Sequence, residues 1–229
     1  MSRWTRRYAL GMEMSAAPPN ESVTTGVLLA VEGCSGVGKT TLVAELKVAL
    51  EGAATPLSVK LPSDGALGKL ARELLEQQAF EAVALTAAAD RALVAQNTVL
   101  PALHVGGVVI ADRWVLSSLA LNALSGLPYD FSYALSSRLP QPNLSILLLA
   151  DAKVTEARLR DREDRDLYER EAMISASPEQ SRLVESARFL ARKGWRIAEF
   201  DVGSLTPTDV AKRIATMLKA QGLLGNCQT

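Results

Sequence analysis

The sequence predicts an α/β fold in which helices cover both faces of a parallel sheet. Short runs of apolar residues alternate with helical patterns along the 229-residue chain. Each run is apolar throughout, which is typical of strands that are buried on both faces. A glycine-rich loop joins the first run to the first helix, an arrangement common in folds of this class. Because such folds bind ligands at the carboxyl ends of their strands, the residues that follow the apolar runs are the candidates for function.

The amino-acid composition indicates which partners and which cellular location to expect. The 25 basic and 25 acidic residues balance, so nothing favours binding to nucleic acid or to an anionic membrane surface. The apolar runs are too short to span a membrane. Cys34 and Cys227 have no metal-binding spacing, and a cytoplasmic location is expected. Neither nucleic acid nor a membrane is therefore the expected partner.

The chain is predicted to form one domain, residues 26–222, between two tails. Residues 1–25 contain Pro18-Pro19 and many small residues, which indicates a poorly ordered segment without an export signal. Residues 223–229 are expected to form a short C-terminal tail.

Each element follows from its own local pattern. The predicted strands are Val27–Glu32, Leu57–Leu61, Val108–Ala111, Ser145–Ala150 and Trp195–Val202. The predicted helices, from apolar spacing and from start and stop signals, are Lys39–Glu51, Ala66–Gln78, Phe80–Val105, Leu116–Leu124, Val154–Arg162, Pro178–Lys193 and Pro207–Gln221. Pro101 should kink the third helix. Pro178 should begin the sixth helix, with Ser177 as its N-cap.

The loop between the first strand and helix carries the strongest functional signal. Gly33 to Thr40 matches the pattern G-x-x-x-x-G-K-[ST] of a phosphate-binding loop. Its glycines allow successive backbone N–H groups to face a polyphosphate, which the helix N-terminus also favours. Lys39 should lie along the β- and γ-phosphates, and the Thr40 hydroxyl should bind Mg²⁺. The predicted nucleotide-binding residues are Gly33, Cys34, Ser35, Gly36, Val37, Gly38, Lys39, Thr40 and Thr41.

Two further segments narrow the chemistry. Asp112, at the end of an apolar strand, is placed to hold Mg²⁺ through water, and Arg113 to bind a second phosphate group; the alternative is a salt bridge at the strand end. The stretch Arg158–Arg170 holds five arginines, and phosphoryl transfer requires cations that close over the transferred group. The alternative is a solvated helix with ion pairs, because five acidic residues alternate with these arginines.

Taken in order, these positions resemble the thymidylate kinase family. The family pattern E-G-x-[DE]-G-x-G-K-[ST]-T appears as Glu32–Thr41, and F-P-x-R appears as Leu61-Pro62-Ser63-Asp64. Arg91 stands for the arginine of the central helix. The pattern D-R-[YW]-x-x-S appears as Asp112–Ser117, and Arg158–Arg165 stands for the Arg-rich lid. The resemblance runs from about residue 27 to about residue 217.

The resemblance implies a three-layer fold with five parallel strands and a lid at about residues 158–172. It also implies ATP, Mg²⁺ and often a homodimer. The resemblance implies that the catalytic residues are Lys39, Arg113, Arg158, Arg162 and Arg165. The expected acceptor contacts are Ser35, Leu61, Asp64, Arg91, Arg113, Ser117, Asn122 and Tyr168, and the metal ligands are Thr40 and Asp112. Because Val37 is not basic, the chain looks like the subtype whose lid supplies the catalytic arginine.

Departures from the family pattern cluster at the acceptor side. The loop carboxylate is Ser35 here, the F-P-x-R arginine is Asp64, the aromatic that stacks on thymine is Ala87, and Tyr-Gln is Leu121-Asn122. Asp64 near an acceptor phosphate would repel it, and Ala87 offers thymine no ring to stack on, so dTMP is expected to be a poor acceptor. The alternatives are a kinase for another nucleotide, nucleoside or small metabolite, and an ATPase switch that acts through a protein partner. The sequence lacks the N-K-x-D of a GTPase and a Glu after Asp112, which favours a kinase.

Overall fold

The predicted parallel sheet is present. The structure, a computed structural model, describes residues 26–51, 55–160 and 167–224, without the side chains of residues 159–177. Across these residues five strands pair in parallel in the order β2-β3-β1-β4-β5. Their bounds are Val27–Gly33 for β1, Leu57–Lys60 for β2, Val108–Asp112 for β3, Leu144–Leu149 for β4 and Ile197–Asp201 for β5.

The strand register brings the predicted site residues to one edge of the sheet. In the parallel pairing of β1 with β3, Val31 lies opposite Asp112, and in the pairing of β2 with β3, Lys60 lies opposite the same Asp112. Strands β1 and β3 are buried along their whole length, which explains their continuous apolar runs. The residues that follow β1, β2 and β3 therefore meet above Asp112.

Helices pack on both faces of this sheet. In chain order they are α1 Lys39–Leu50, α2 Ala66–Glu76, α3 Phe80–Val94, α4 Leu100–His104, α5 Val115–Leu124, α6 Tyr129–Ala134, α7 Ala152–Arg160, α8 Leu167–Arg192 and α9 Pro207–Ala220. Helix α6 was not predicted, because its six residues are too few to show a helical period. Within the described part of the chain, no helix has the length and apolar character needed to cross a membrane.

The irregularity predicted at Pro101 is present in the structure. A π-helical segment, Ala95–Val99, joins α3 to α4 immediately before Pro101, so the expected irregularity is present at this point in an otherwise continuous helix. Proline has no N–H for the carbonyl four residues earlier, and a wider turn accommodates that loss.

The prediction that a helix begins at Pro178 with Ser177 as its N-cap is wrong, because Pro178 lies inside α8. The proline removes one backbone hydrogen bond, but that loss does not end a helix held by packing further along. Leu183, Ala187 and Leu190 of α8 are buried in the core.

The tails and part of the Arg-rich stretch lie outside the described residues. This applies to the expected N-terminal tail, residues 1–25, and to residues 225–229 of the expected C-terminal tail. It also applies to residues 161–166, which include Arg162 and Arg165. The domain bounds of 26–222 and the lid at 158–172 stay predictions.

Candidate active site

The glycine-rich loop wraps around the side chain of Lys39. Gly33 and Gly38 have φ angles of 147° and 108°, a region that side chains with a Cβ rarely adopt. The Lys39 side chain is buried, and its Nζ donates to the backbone oxygen of Cys34 at 2.8 Å. Burial, together with the nearby Arg113 charge, lowers the pKa of Lys39 to about 8. The loop therefore holds a cation at the point where a polyphosphate would meet it.

Thr40 and Asp112 are adjacent, as the sequence predicts for two metal ligands. The Thr40 hydroxyl donates to Asp112 Oδ2 at 3.2 Å. Among the described residues there is no cluster of three His, Cys, Asp or Glu side chains that would hold a metal ion. Mg²⁺ usually binds through one or two protein oxygens together with substrate phosphates and water. A hydroxyl and a carboxylate at the mouth of a phosphate loop fit that requirement.

Glu32 organises the start of α5, a role that the motif alone does not reveal. Its buried carboxylate accepts the backbone N–H groups of Trp114, Leu116 and Ser117 at 3.1, 3.2 and 3.1 Å, and also the Ser117 hydroxyl. Burial raises the pKa of Glu32, although these hydrogen bonds and the Arg113 charge act in the opposite direction. The carboxylate satisfies N–H groups at a helix N-terminus that would otherwise lack partners. It thereby fixes the backbone that follows Arg113.

Arg113 lies at the centre of the site. Its backbone has a φ of 70°, which costs free energy in a residue other than glycine and points to a functional constraint. The guanidinium donates to the Gly33 carbonyl at 3.3 Å, the Ser35 hydroxyl at 3.1 Å and the Ser117 hydroxyl at 3.4 Å, and it lies 3.6 Å from Glu179. Burial alone would lower the pKa of Arg113, but the Glu179 and Asp112 carboxylates outweigh it, so the pKa rises. Arg113 is therefore a fixed, permanently charged group.

A cavity extends from the loop between α3 and α5. Five cationic side chains line it, from the phosphate loop, from β2, from α2, from α3 and from the residue after β3: Lys39, Lys60, Arg72, Arg91 and Arg113. Its apolar wall on α3 consists of small residues, Val83, Ala84, Ala87 and Ala88. Of the predicted acceptor contacts, Ser35, Leu61, Arg91, Arg113, Ser117 and Asn122 line the cavity. Five cations around one cavity suit an anionic ligand.

Arg91 is held towards the inside of the cavity by hydroxyl groups. Its guanidinium donates to the Ser136 hydroxyl at 3.2 Å and to the Ser118 hydroxyl. Beside it on α3, Asp90 is buried and accepts both the backbone N–H of Ser63 at 2.7 Å and the Ser63 hydroxyl at 2.6 Å. Neighbouring residues of one helix thus fix the loop after β2 and present a cation to the cavity.

Asp64, one of the expected acceptor contacts, lies outside the cavity. Its side chain is fully exposed and does not line the cavity, and its carboxylate lies 3.6 Å from Nη2 of Arg72. Arg72 does line the cavity, and it donates to the carbonyls of Pro62 and Ser63 at 3.0 and 2.7 Å. No sequence motif marks Arg72, which lies one helical turn beyond Gly68 on α2; Gly68 itself packs against Ser63, so this face of the helix is turned towards the loop after β2. The cavity therefore keeps its positive charge.

The Arg-rich stretch is described only in part. Arg158, on α7, donates from Nη1 to the backbone oxygen of Val37 in the phosphate loop at 3.2 Å. Arg162 and Arg165 lie outside the described residues, and Tyr168 lies in α8 without a described side chain. Cys34 is buried, and burial together with the Glu179 charge raises the pKa of its thiol to about 11. A thiol of this kind is not a nucleophile.

A parallel sheet with this strand order, a phosphate loop after β1 and a cation-lined cavity beside it define a nucleotide kinase of the phosphate-loop class. The sequence model described as thymidylate kinase matches residues 31–192. The chain therefore belongs to the thymidylate kinase family and is an ATP-dependent phosphotransferase; the family uses ATP and Mg²⁺.

Several relatives agree with this assignment. A probable thymidylate kinase of Pyrobaculum aerophilum is 29% identical over 194 residues, which is 83% of this chain and 95% of the relative. One of Pyrococcus horikoshii is 37% identical over 144 residues, which is 59% of this chain and 70% of the relative. A thymidylate kinase of Xanthomonas oryzae is 36% identical over 143 residues, which is 61% of this chain and 63% of the relative.

Proposed function

We propose that the protein transfers the γ-phosphoryl group of ATP to the phosphate of a nucleoside monophosphate, and that dTMP is an acceptor. The observation that carries this proposal is the cavity that begins at the phosphate loop and is lined by Lys60, Arg72, Arg91 and Arg113. A nucleoside monophosphate has the required form, with a dianion at one end and a flat base at the other. The proposal also agrees with the names of the relatives.

The donor nucleotide is assigned to the phosphate loop. Backbone N–H groups of residues 33–41 and the N-terminus of α1 would bind its phosphates, with Lys39 beside the β- and γ-phosphates. Thr40 and Asp112 would hold Mg²⁺, which supplies positive charge to the phosphates when bound. Arg158, which already contacts the loop at Val37, is the described cation of the Arg-rich stretch that can stabilise charge on the transferred group.

The acceptor is assigned to the cavity. Arg113 adjoins both the loop and the cavity, so we assign it to the acceptor phosphate next to the transferred group. Lys60 and Arg72 complete the positive charge at that end. Arg91, oriented by hydroxyl groups of α5 and the segment after α6, is assigned to the base. Positioning and charge stabilisation are the main protein contributions to phosphoryl transfer, and these side chains provide both.

A second acceptor class is favoured by one observation. The α3 wall of the cavity has Ala87 where the family carries an aromatic ring. A small wall removes a stacking platform and leaves more room, which suits another nucleoside monophosphate as well as dTMP. Because Asp64 is outside the cavity, it would not repel a bound acceptor phosphate, and the missing ring at Ala87 is the remaining reason to expect weak use of dTMP.

Release of ADP in the presence of Mg²⁺-ATP and single acceptors tests the proposal. Each natural ribo- and deoxyribonucleoside monophosphate is supplied in turn, with a reaction without acceptor and the Lys39→Ala variant as controls. We expect ADP release that depends on an acceptor, with dTMP among those used. Equal ADP release with and without every acceptor would contradict the proposal and favour an ATPase switch.

A further inference from the structure

A buried carboxylate on α8 lies behind the phosphate loop, and the reaction assigned above does not use it. Glu179 is only 3% exposed. Its Oε2 accepts the backbone N–H of Ser35 at 3.2 Å, and its Oε1 lies 3.6 Å from Nη1 of Arg113. Glutamate is rarely buried to this degree unless it is paired. Both partners belong to the active site, so Glu179 connects α8 directly to the loop and to the central arginine.

The surroundings of Arg113 explain why a carboxylate is required here. The buried Lys39 and the Arg113 side chain, which is 17% exposed, are two cations close to each other. The Ser35 hydroxyl accepts a hydrogen bond from Arg113 but carries no charge. Asp112 is bonded to Thr40, and the Glu32 oxygens are occupied by N–H groups of α5. Among the described residues, Glu179 is the carboxylate within ion-pair distance of the guanidinium.

We propose that Glu179 is a positioning residue, which supplies from α8 the negative charge that the loop lacks at Ser35 and so holds Arg113 in place for the acceptor. The kinetic part of this proposal rests on the proposed function, because Arg113 is assigned there to the acceptor phosphate. Glu179 itself does not line the cavity, so its effect on turnover passes through Arg113.

Loss of the Glu179 carboxylate should displace Arg113, whereas it should change the affinity for ATP only slightly. In Glu179→Ala the guanidinium keeps only neutral partners on that side and stays close to Lys39, so it should shift within the site. Misplacement of a positioning group by about 1 Å can lower the rate by about 100-fold. We expect kcat to fall about tenfold or more and the KM for the acceptor to rise, with a smaller change in the KM for ATP.

A substitution at Ser35, on the other side of the Arg113 guanidinium, can supply a carboxylate in place of Glu179. The Ser35 hydroxyl oxygen is already 3.1 Å from Nη2 of Arg113, so an aspartate at this position would reach the guanidinium. In a protein that keeps Glu179, Ser35→Asp would place two carboxylates against one arginine, and they would repel each other. In a protein without Glu179, the same substitution would restore a single ion pair.

The test is a double-mutant cycle with four proteins: wild type, Glu179→Ala, Ser35→Asp and the double variant. For each, kcat and KM are measured for the acceptor, and the melting temperature is measured without nucleotide. Ser35→Asp should lower both activity and melting temperature in the wild type and raise both in Glu179→Ala. Glu185→Gln is the matched control, since Glu185 is an exposed glutamate of the same helix that bonds Tyr129 and Arg182 outside the site; it should leave kcat unchanged.

Additive effects, with Ser35→Asp harmful in both backgrounds, would overturn the proposal and leave Glu179 a packing residue. If Glu179→Ala does not fold, Glu179→Gln replaces it in the cycle, because Gln still accepts the Ser35 N–H but carries no charge. If the wild type releases no ADP with any acceptor, the proposed function fails, whereas the melting temperatures still test the ion pair.

Discussion

Ala87 offers a direct test of how the acceptor base lies in the cavity. The residue is half-buried on α3, one helical turn before Arg91, and it lines the cavity beside Ala84 and Ala88. In Ala87→Phe a ring would extend from this wall towards the space next to the Arg91 guanidinium. Stacked aromatic pairs contribute about 0.5–1.5 kcal/mol beyond the burial of their surface. If the base lies against α3, we therefore expect the KM for dTMP to fall by about two- to thirteenfold.

Steady-state ADP release with varied dTMP and saturating ATP measures this effect. The KM for ATP should not change, because Ala87 is not part of the phosphate loop. Ala89→Phe is the matched control, since Ala89 is exposed and does not line the cavity; it adds the same ring to the same helix outside the site. A KM for dTMP that is unchanged or higher in a folded Ala87→Phe protein would refute the assignment of the base to this wall.

Three other substitutions or modifications test the rest of the site. Lys39→Ala should lower kcat by about 10²- to 10³-fold, because a preorganised cation at the phosphates is lost. The rate of ADP release gives kcat, and a circular dichroism spectrum like that of the wild type shows that the variant is folded. Arg158→Ala should lower kcat more than it raises the KM for ATP, since its charge matters most in the transition state; separate kcat and KM values decide this, and unchanged kcat would contradict it. Because the pKa of Cys34 is raised to about 11, iodoacetamide at pH 8 should not label this thiol in the folded protein but should label it after denaturation, as read by mass spectrometry of the Cys34 peptide.

The parts of the fold that the sequence predicts correctly depend on local patterns. The strand β3 is an uninterrupted apolar run followed by a charged residue, and the phosphate loop is bounded by a strand and a helix; both are complete within a few residues. Asp112 and Thr40 are 72 residues apart, but each follows from the rule that site residues collect at strand ends, and their side chains are bonded. The start of α8 does not follow from its local pattern, because Pro178 predicts a helix start there, whereas the helix continues through the proline and is held by the packing of the residues after it.

Glu179 shows why some residues of the site cannot be predicted from the sequence. It is separated from Ser35 by 144 residues, and nothing in the sequence of α8 distinguishes it from Glu185, which is exposed. Only the position of α8 on the sheet, which places this one residue behind the loop, makes it part of the site. Glu32 differs in that its motif was recognised but its role was not, since the N–H groups that it binds belong to residues 114–117 on another segment.

At both positions where the charge differs from the family pattern, a residue of another element supplies the charge, and this affects which acceptor the cavity suits. Asp64 replaces an arginine but points into solvent, while Arg72 brings a guanidinium to the cavity from α2. Ser35 replaces a carboxylate, while Glu179 brings one to Arg113 from α8. In each case the lost charge is matched by a charge of the same sign from another element. Because ligands respond to the total charge of a site and not to the segment that supplies it, the charges around this cavity favour an anionic acceptor, and the difference that bears on which base is bound is the small wall at Ala87.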